Sequence, residues 1–391
     1  MQRIIFFNSH PIQYFVPLYQ ELAKEPGIAL EVMYCSDETL KGATDKQFGV
    51  KVQWDIPLLE GYNYIFLRNH SFRPSIFKGF WGLMNWGIID YLRKAPKSVL
   101  VVHGWASFSH IMTIFCGKLF GHTVCLRAET PLNQELLKRP AVQTIKNVWL
   151  RFLFLFVDKY LYIGKQNKLF YESLGVKEPV LFFTPYCVDN KRFQQVQENT
   201  SKTHARNQLN LPTEKRIFLF SGKYIDKKRP MDLLEAFSKT DLQQCFLVMV
   251  GDGELREVME AFIIEKGLSG NVLLTGFINQ SVIPFYYAAA DLFVMCSGLG
   301  ETWGLSVNEA MNFKLPIIVS DTCGCSYDLV DANINGAIFE TGNLQQLQEQ
   351  LAHMSTISEE RLQAMGQASL AKVNRYSYNA VIQTLKQVAQ E

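Results

Sequence analysis

No stretch of this chain approaches the ~20 consecutive apolar residues that a membrane-crossing helix needs, although 48% of its 391 residues are hydrophobic. The nearest approach, 148–157, is broken by Arg151 and closed by Asp158. The first apolar run, Ile4–Phe7, stops at Asn8, Ser9 and His10, too short for the apolar core of a secretory signal. The expected location is therefore cytoplasmic, with at most peripheral contact on the inner face of a membrane. Paired cysteines are lacking too. Of eight, only Cys323 and Cys325 are close, and a single intervening glycine suits neither a Cys-x-x-Cys redox motif nor a zinc knuckle. Cys125, Cys245 and Cys296 stand inside apolar runs as buried thiols, which fits a reducing compartment. Charge of one sign is also missing. The balance is 39 Lys and Arg against 37 Asp and Glu, with no long basic block, so no nucleic-acid partner is expected.

What the chain does have is alternation. Short β-rich runs (3–7, 29–34, 98–102, 123–126, 159–163) are separated by stretches that include helical spacing at 17–24. The pattern resumes with strands predicted at 216–220, 245–250, 272–274, 292–295 and 317–320, and helices between them. Strand–helix alternation predicts an α/β protein with parallel sheets, and the continuously apolar strands predict sheets covered on both faces. The polar stretch 194–210 lacks apolar periodicity and reads as the division between two doubly wound, Rossmann-like domains. The expected domains are 1–195 and 205–376, followed by a helix at 377–391 packing back on the first domain. Ligands of such domains are expected in a cleft at the carboxyl ends of the strands. The apolar residues of 148–157 are continuous rather than one-faced, which favours burial of this segment over membrane contact.

Three segments follow strands and carry chemistry. Gly300-Glu301-Thr302-Trp303-Gly304-Leu305-Ser306-Val307-Asn308-Glu309 is a glycine-rich turn feeding a helix, and free backbone N–H groups with the helix dipole favour phosphate there. Its two glutamates would stand ~12 Å and ~80° apart on a continuous helix, a poor glycosidase pair but suited to two separate hydroxyl contacts. The run Ser221-Gly222-Lys223-Tyr224-Ile225-Asp226-Lys227-Lys228 sets cations beside a glycine at a strand end, a diphosphate clamp or a solvated basic turn. Val250-Gly251-Asp252-Gly253 is a strand running into a tight turn.

In order, these segments together with Thr275-Gly276-Phe277, Tyr286–Asp291, Ser297, Pro316–Ser320 and Asn335-Gly336 resemble the retaining glycosyltransferases of family 4, the group 1 transferases, which have the GT-B fold of two facing Rossmann-like domains. The resemblance covers most of 216–340. It implies transfer of a sugar from a UDP- or GDP-linked donor to an acceptor hydroxyl in polysaccharide or glycolipid assembly, with retention and without a metal or cofactor; no Asp-x-Asp motif is present. Lys223 and Lys228 would hold the diphosphate, and Glu301 the sugar hydroxyls. Gly222, Gly276 and Phe277 would line the donor. Backbone N–H groups near Gly304, Leu305 and Ser306 would bind phosphate, and Glu309 would bind ribose. Lys223 stands where the family usually has Arg and Trp303 where it has Phe. Acceptor-side candidates at strand ends are His10, His103, Arg127 and Glu129, the last where many members have His. The acceptor is expected to be a glycan or lipid-linked. The alternatives are a non-catalytic sugar-nucleotide-binding protein, or an epimerase or hydrolase on the same fold.

Overall fold

Two all-parallel sheets organise the chain, one of seven strands and one of six. The computed structural model describes residues 1–41, 44–45, 50–51 and 57–390. One unit is built on Met1–Ala43, Ile56–Tyr186 and Tyr378–Glu391, the other on Cys187–Ser377.

In the first unit the strands are β1 (Gln2–Asn8), β2 (Ile28–Tyr34), β3 (Tyr64–Phe66), β4 (Val99–His103), β5 (Thr123–Arg127), β6 (Lys159–Tyr162) and β7 (Leu181–Phe183), in the order β3-β2-β1-β4-β5-β6-β7. Ile4–Phe7 and Val99–Val102 are wholly buried, as strands covered on both faces must be. The helix Tyr378–Gln390 belongs to this unit. Thr384 Oγ1 donates to Phe183 O at 2.8 Å, Tyr378 Oη to Tyr14 O at 3.1 Å, and Lys386 pairs with Glu25.

The second unit repeats the winding with β8 (Arg216–Ser221), β9 (Cys245–Val250), β10 (Val272–Leu274), β11 (Leu292–Met295), β12 (Ile317–Ser320) and β13 (Gly336–Phe339), ordered β10-β9-β8-β11-β12-β13. Its central strands are continuous apolar runs, and every residue of β11 and β12 is buried.

The division falls between Tyr186 and Cys187, ahead of the expected 194–210. That stretch carries parts of two helices of the second unit, Asn190–Asn199 and Lys202–Gln208. Asp189 and Ser201 cap them through the Arg192 and His204 N–H groups. Only Phe193, packed against Phe313 and Tyr287, supplies a large apolar anchor to the first helix. The second is held by charge. Asp291, buried at the start of β11, accepts from Lys202 Nζ, Arg206 Nη2 and the Ile217 N–H, each at 2.6 Å. Arg206 also donates to the carbonyls of Ala289, Thr213 and Lys215.

Because Asp291→Asn strands a buried guanidinium without its counter-charge, it is expected to lower the unfolding free energy by roughly 3–5 kcal/mol. Urea unfolding measures this, and a loss under about 1 kcal/mol would show that the helix is held by something else.

Candidate functional site

Each sheet reverses its winding once, between β1 and β4 in the first unit and between β8 and β11 in the second. The loops leaving the carboxyl ends of two such strands diverge, and the opening between them is where doubly wound sheets receive ligands.

In the second unit the loop after β8 contains Gly222 to Arg229 and the loop after β11 contains Ser297 to Gly304. The Gly222 N–H donates to Val250 O at 2.9 Å, and the Gly251 N–H donates to Gly276 O at 3.1 Å. Gly251 lies so close to the Gly222 carbonyl that a Cβ would stand 1.9 Å from its oxygen. Three loops at three strand ends are thereby stitched by backbone alone, with Phe277 half-buried beside them. A Cβ on Gly222 would sit 3.6 Å from Lys228 Cδ and Cε, so the lysine stem passes directly over the glycine.

Lys228 pairs with Glu301, bridging the two diverging loops. Lys227 Nζ lies 3.7 Å from the same carboxylate and donates to Gly300 O at 3.2 Å. The Gly298 N–H donates to Lys227 O at 2.8 Å, which ties the loops a second time. Burial alone would raise the Glu301 carboxyl, but Lys228 and Lys227 outweigh it and hold it below the ordinary glutamate range. The side chain of Lys228 is 14% exposed and that of Lys227 39%. Lys223, next to Gly222, is half-buried.

The helix Leu305–Asn312 opens at Gly304, whose φ of +104° is favourable only for glycine. Leu305 and Ser306 are half-exposed at the first turn, where N–H groups have no carbonyl four residues back. From Val307 to Asn312 every residue is buried. Trp303 is buried and donates through Nε1 to Asn308 Oδ1 at 2.8 Å. Glu309 is enclosed at 2% exposure, and one oxygen accepts the Tyr287 hydroxyl at 2.7 Å. A ribose reaches it only if the side chains around it move.

In the first unit His103 ends β4 and Arg127 ends β5, directly opposite in register. The Arg127 guanidinium lies 4.9 Å from the Phe15 ring and 4.8 Å from the Tyr186 ring, and 3.5 Å from the Glu129 carboxylate. His103 meets Phe15 edge-on at 4.6 Å, and its Nε2 is buried without a hydrogen-bond partner. Burial, with Arg127 and His110 nearby, pushes His103 well below the usual histidine range. His10 has different neighbours. It shares a 2.8 Å hydrogen bond with Ser9 and is pushed down to about 4 by burial, against a small opposing pull from Glu38.

The structure thus brings Gly222, Gly276, Lys228, Glu301 and the Gly304–Ser306 turn to one sheet end, and gathers His103, Arg127 and Glu129 around two aromatic rings. Several participants were not singled out from the sequence. Lys227 has the look of a solvent lysine but reaches the Gly300 carbonyl. Phe15 carries no motif, Tyr287 stands inside the Tyr286–Asp291 segment without a role assigned to it, and His110, bonded to Ser107 at 2.7 Å, sits mid-pattern in an apolar helix.

Residues 201–370 match the family model described as glycosyl transferases group 1. Among similar proteins, the alpha-monoglucosyldiacylglycerol synthase of Acholeplasma laidlawii is 26% identical over 41% of this chain and 41% of its own length. The lipopolysaccharide core biosynthesis glycosyltransferase LpsE of Rhizobium meliloti is 28% identical over 35% of this chain and 39% of its own. The chain therefore spans about two-fifths of the length of these curated relatives. In solved structures, Anabaena HepE in complex with UDP superposes with a TM-score of 0.76 over 100% of both chains at 14% identity. The fold is accordingly the expected GT-B type, with two doubly wound parallel units.

A carboxylate whose folded titration point is depressed contributes stability above its unfolded value, and that stability is lost as pH falls through the folded one. Lys228→Met should therefore be less stable than the native chain at neutral pH, and the gap should narrow in acid below the glutamate range. Urea midpoints across pH test this; a gap independent of pH would remove the Lys228–Glu301 pair as its cause.

Proposed function

From the match of residues 201–370 to the glycosyl transferases group 1 model, we propose that the protein transfers a sugar from a nucleoside diphosphate donor to an acceptor hydroxyl. The observation that carries this reading is the Lys228–Glu301 bridge across the winding reversal, beside a glycine over which a phosphate can lie and a helix opening with free N–H groups.

Lys228 and Lys223 receive the diphosphate, and the Leu305 and Ser306 N–H groups complete its cradle. Glu301 turns to the sugar hydroxyls once phosphate oxygens replace it at the lysines. The bond between the anomeric carbon and the phosphate oxygen breaks, and its electron pair leaves on the diphosphate. The acceptor hydroxyl forms the new bond on the same face, and its proton passes to the departing phosphate. Fixed positive charge at the leaving group is the main contribution of the protein, which is why no metal is included. Glu309, backed by Tyr287, meets the ribose after local rearrangement. His103, Arg127, Glu129 and His10 form the acceptor side. UDP is the favoured nucleotide because HepE, of the same fold, was solved with it. A glycan or lipid-linked acceptor in surface polysaccharide or glycolipid assembly is favoured by the names of the relatives.

Thermal shift and nucleotide release with UDP- and GDP-linked sugars test the reading. A donor must raise the melting temperature of the native chain. Lys228→Ala is expected to cut nucleotide release by about 10²–10³-fold and Lys227→Ala by less than about tenfold. Equal losses would remove the clamp. Donor binding without release across acceptors would favour a non-catalytic binding protein, and release or conversion without any acceptor a hydrolase or epimerase.

A further inference from the structure

On the seven-stranded unit, the helix Pro140–Phe154 inverts the usual surface pattern. Its inward positions are Leu150, Leu153 and Phe154. Its outward positions are apolar as well: Val142, Ile145, Val148, Trp149 and Phe152 follow at helical steps on one face. Ile145 is 73% exposed and Phe152 48%. The expected burial of 148–157 is thus corrected in part: Leu150, Leu153, Phe154 and Val157 are buried, Phe156 is half-buried, and Val148, Trp149, Phe152 and Leu155 face out. A surface helix ordinarily turns polar residues outward, and a contiguous exposed apolar face marks an interaction surface.

The face continues over the neighbouring helix Phe108–Leu119. Phe115 meets Phe156 at 4.4 Å and Phe152 at 6.3 Å. Seven residues earlier on the same helix, and so on the same face, Phe108 stacks on Trp81 at 5.6 Å and meets Trp86 at 5.1 Å. Both tryptophans are exposed. An aromatic belt therefore runs from the loop before Gly87, across one helix, to the next.

Charge segregates with it. Residues 61–157 hold twelve Lys and Arg against three Asp and Glu, a net +9, whereas the whole chain is +2. Four cations stand between Leu136 and Val157: Lys138 and Lys146 pair with Glu135, and Arg139 and Arg151 are exposed.

We propose that this belt docks the protein on an anionic lipid bilayer, with aromatic and aliphatic side chains entering the interface and the flanking Lys and Arg meeting head groups. Tryptophan at the head-group level suits such a surface. A second copy is a poor occupant, because it would press two strongly positive faces together.

The test is flotation of the full chain with vesicles of phosphatidylglycerol and phosphatidylcholine, or of phosphatidylcholine alone. Binding is expected to the first, to fall with salt, and to be accompanied by a blue shift of tryptophan fluorescence. The double variant Ile145→Glu/Phe152→Glu should bind at least about tenfold more weakly, since each buried apolar side chain adds to partitioning. Arg139→Gln/Arg151→Gln, both exposed and safe for folding, should weaken binding roughly thirtyfold. Both are to be compared at unchanged melting temperature and unchanged nucleotide-induced shift. No binding, equal binding to both vesicles, or a solution dimer dissolved by Ile145→Glu/Phe152→Glu would overturn the proposal.

Discussion

All strands of a parallel sheet end on one side, so where the winding reverses the two connections leave in opposite directions and cannot close over the gap between them. The second unit places that gap between β8 and β11. The rest of its local design follows from keeping the gap open yet ordered. The loops are tied at their bases, by Gly222 to Val250 and by Gly298 to Lys227, rather than filled by side chains. Charge then spans the opening. Two lysines from one loop converge on one carboxylate from the other. A phosphate presents more acceptor oxygens to the same cations, so Glu301 is a counter-ion that an anionic ligand can replace.

The helix behind that opening is anchored by its own interior. Its first turn stays half-exposed while Val307 to Asn312 are enclosed. Trp303 locks onto Asn308, and Asn312 donates to Asn190 Oδ1 at 2.9 Å, which joins the helix to the segment following Val188. Rigidity at the back lets the N–H groups at the front keep their direction. The enclosure of Glu309 is the consequence: the carboxylate nearest the anchored part of the helix is the one least open to a ligand.

How much of this was legible from residues alone differed by the kind of interaction. The strands, their burial on both faces and the loops that follow them were readable, because continuous apolar runs ending in glycine leave few alternatives. The positions of Glu301 and Lys228 in loops leaving strand ends were readable too, since a strand end fixes where a loop begins, but their pairing was not. The boundary was misplaced because helix Lys202–Gln208 is held by Asp291, 83 residues beyond its end, and long-range charge leaves no local periodicity. The outward apolar face of Pro140–Phe154 was hidden for the opposite reason. A run that is apolar all round reads as buried, and only the fold reveals that a narrow stripe does the seating. Tyr287 acts through Glu309, 22 residues further along the chain, which no spacing rule reports.

Charge also distinguishes the two strand-end openings. In the first unit, burial pushes His10 and His110 down to about 4 and His103 well down, so all three are neutral near neutral pH. Arg127 faces Glu129 there and cancels it. In the second unit Lys227 and Lys228 share a single carboxylate, which leaves one positive charge in excess beside a helix N-terminus of the same sign. An anionic diphosphate gains from the second opening and has little to gain from the first. A polyhydroxylated, uncharged acceptor has the reverse preference, because aromatic rings, neutral imidazoles and a balanced Arg–Glu pair offer stacking and hydrogen bonds without a net field. Under the proposed assignment of a diphosphate-linked donor and an uncharged acceptor, exchanging them would desolvate a diphosphate against neutral groups and bury an uncompensated lysine against a sugar, both of them costly.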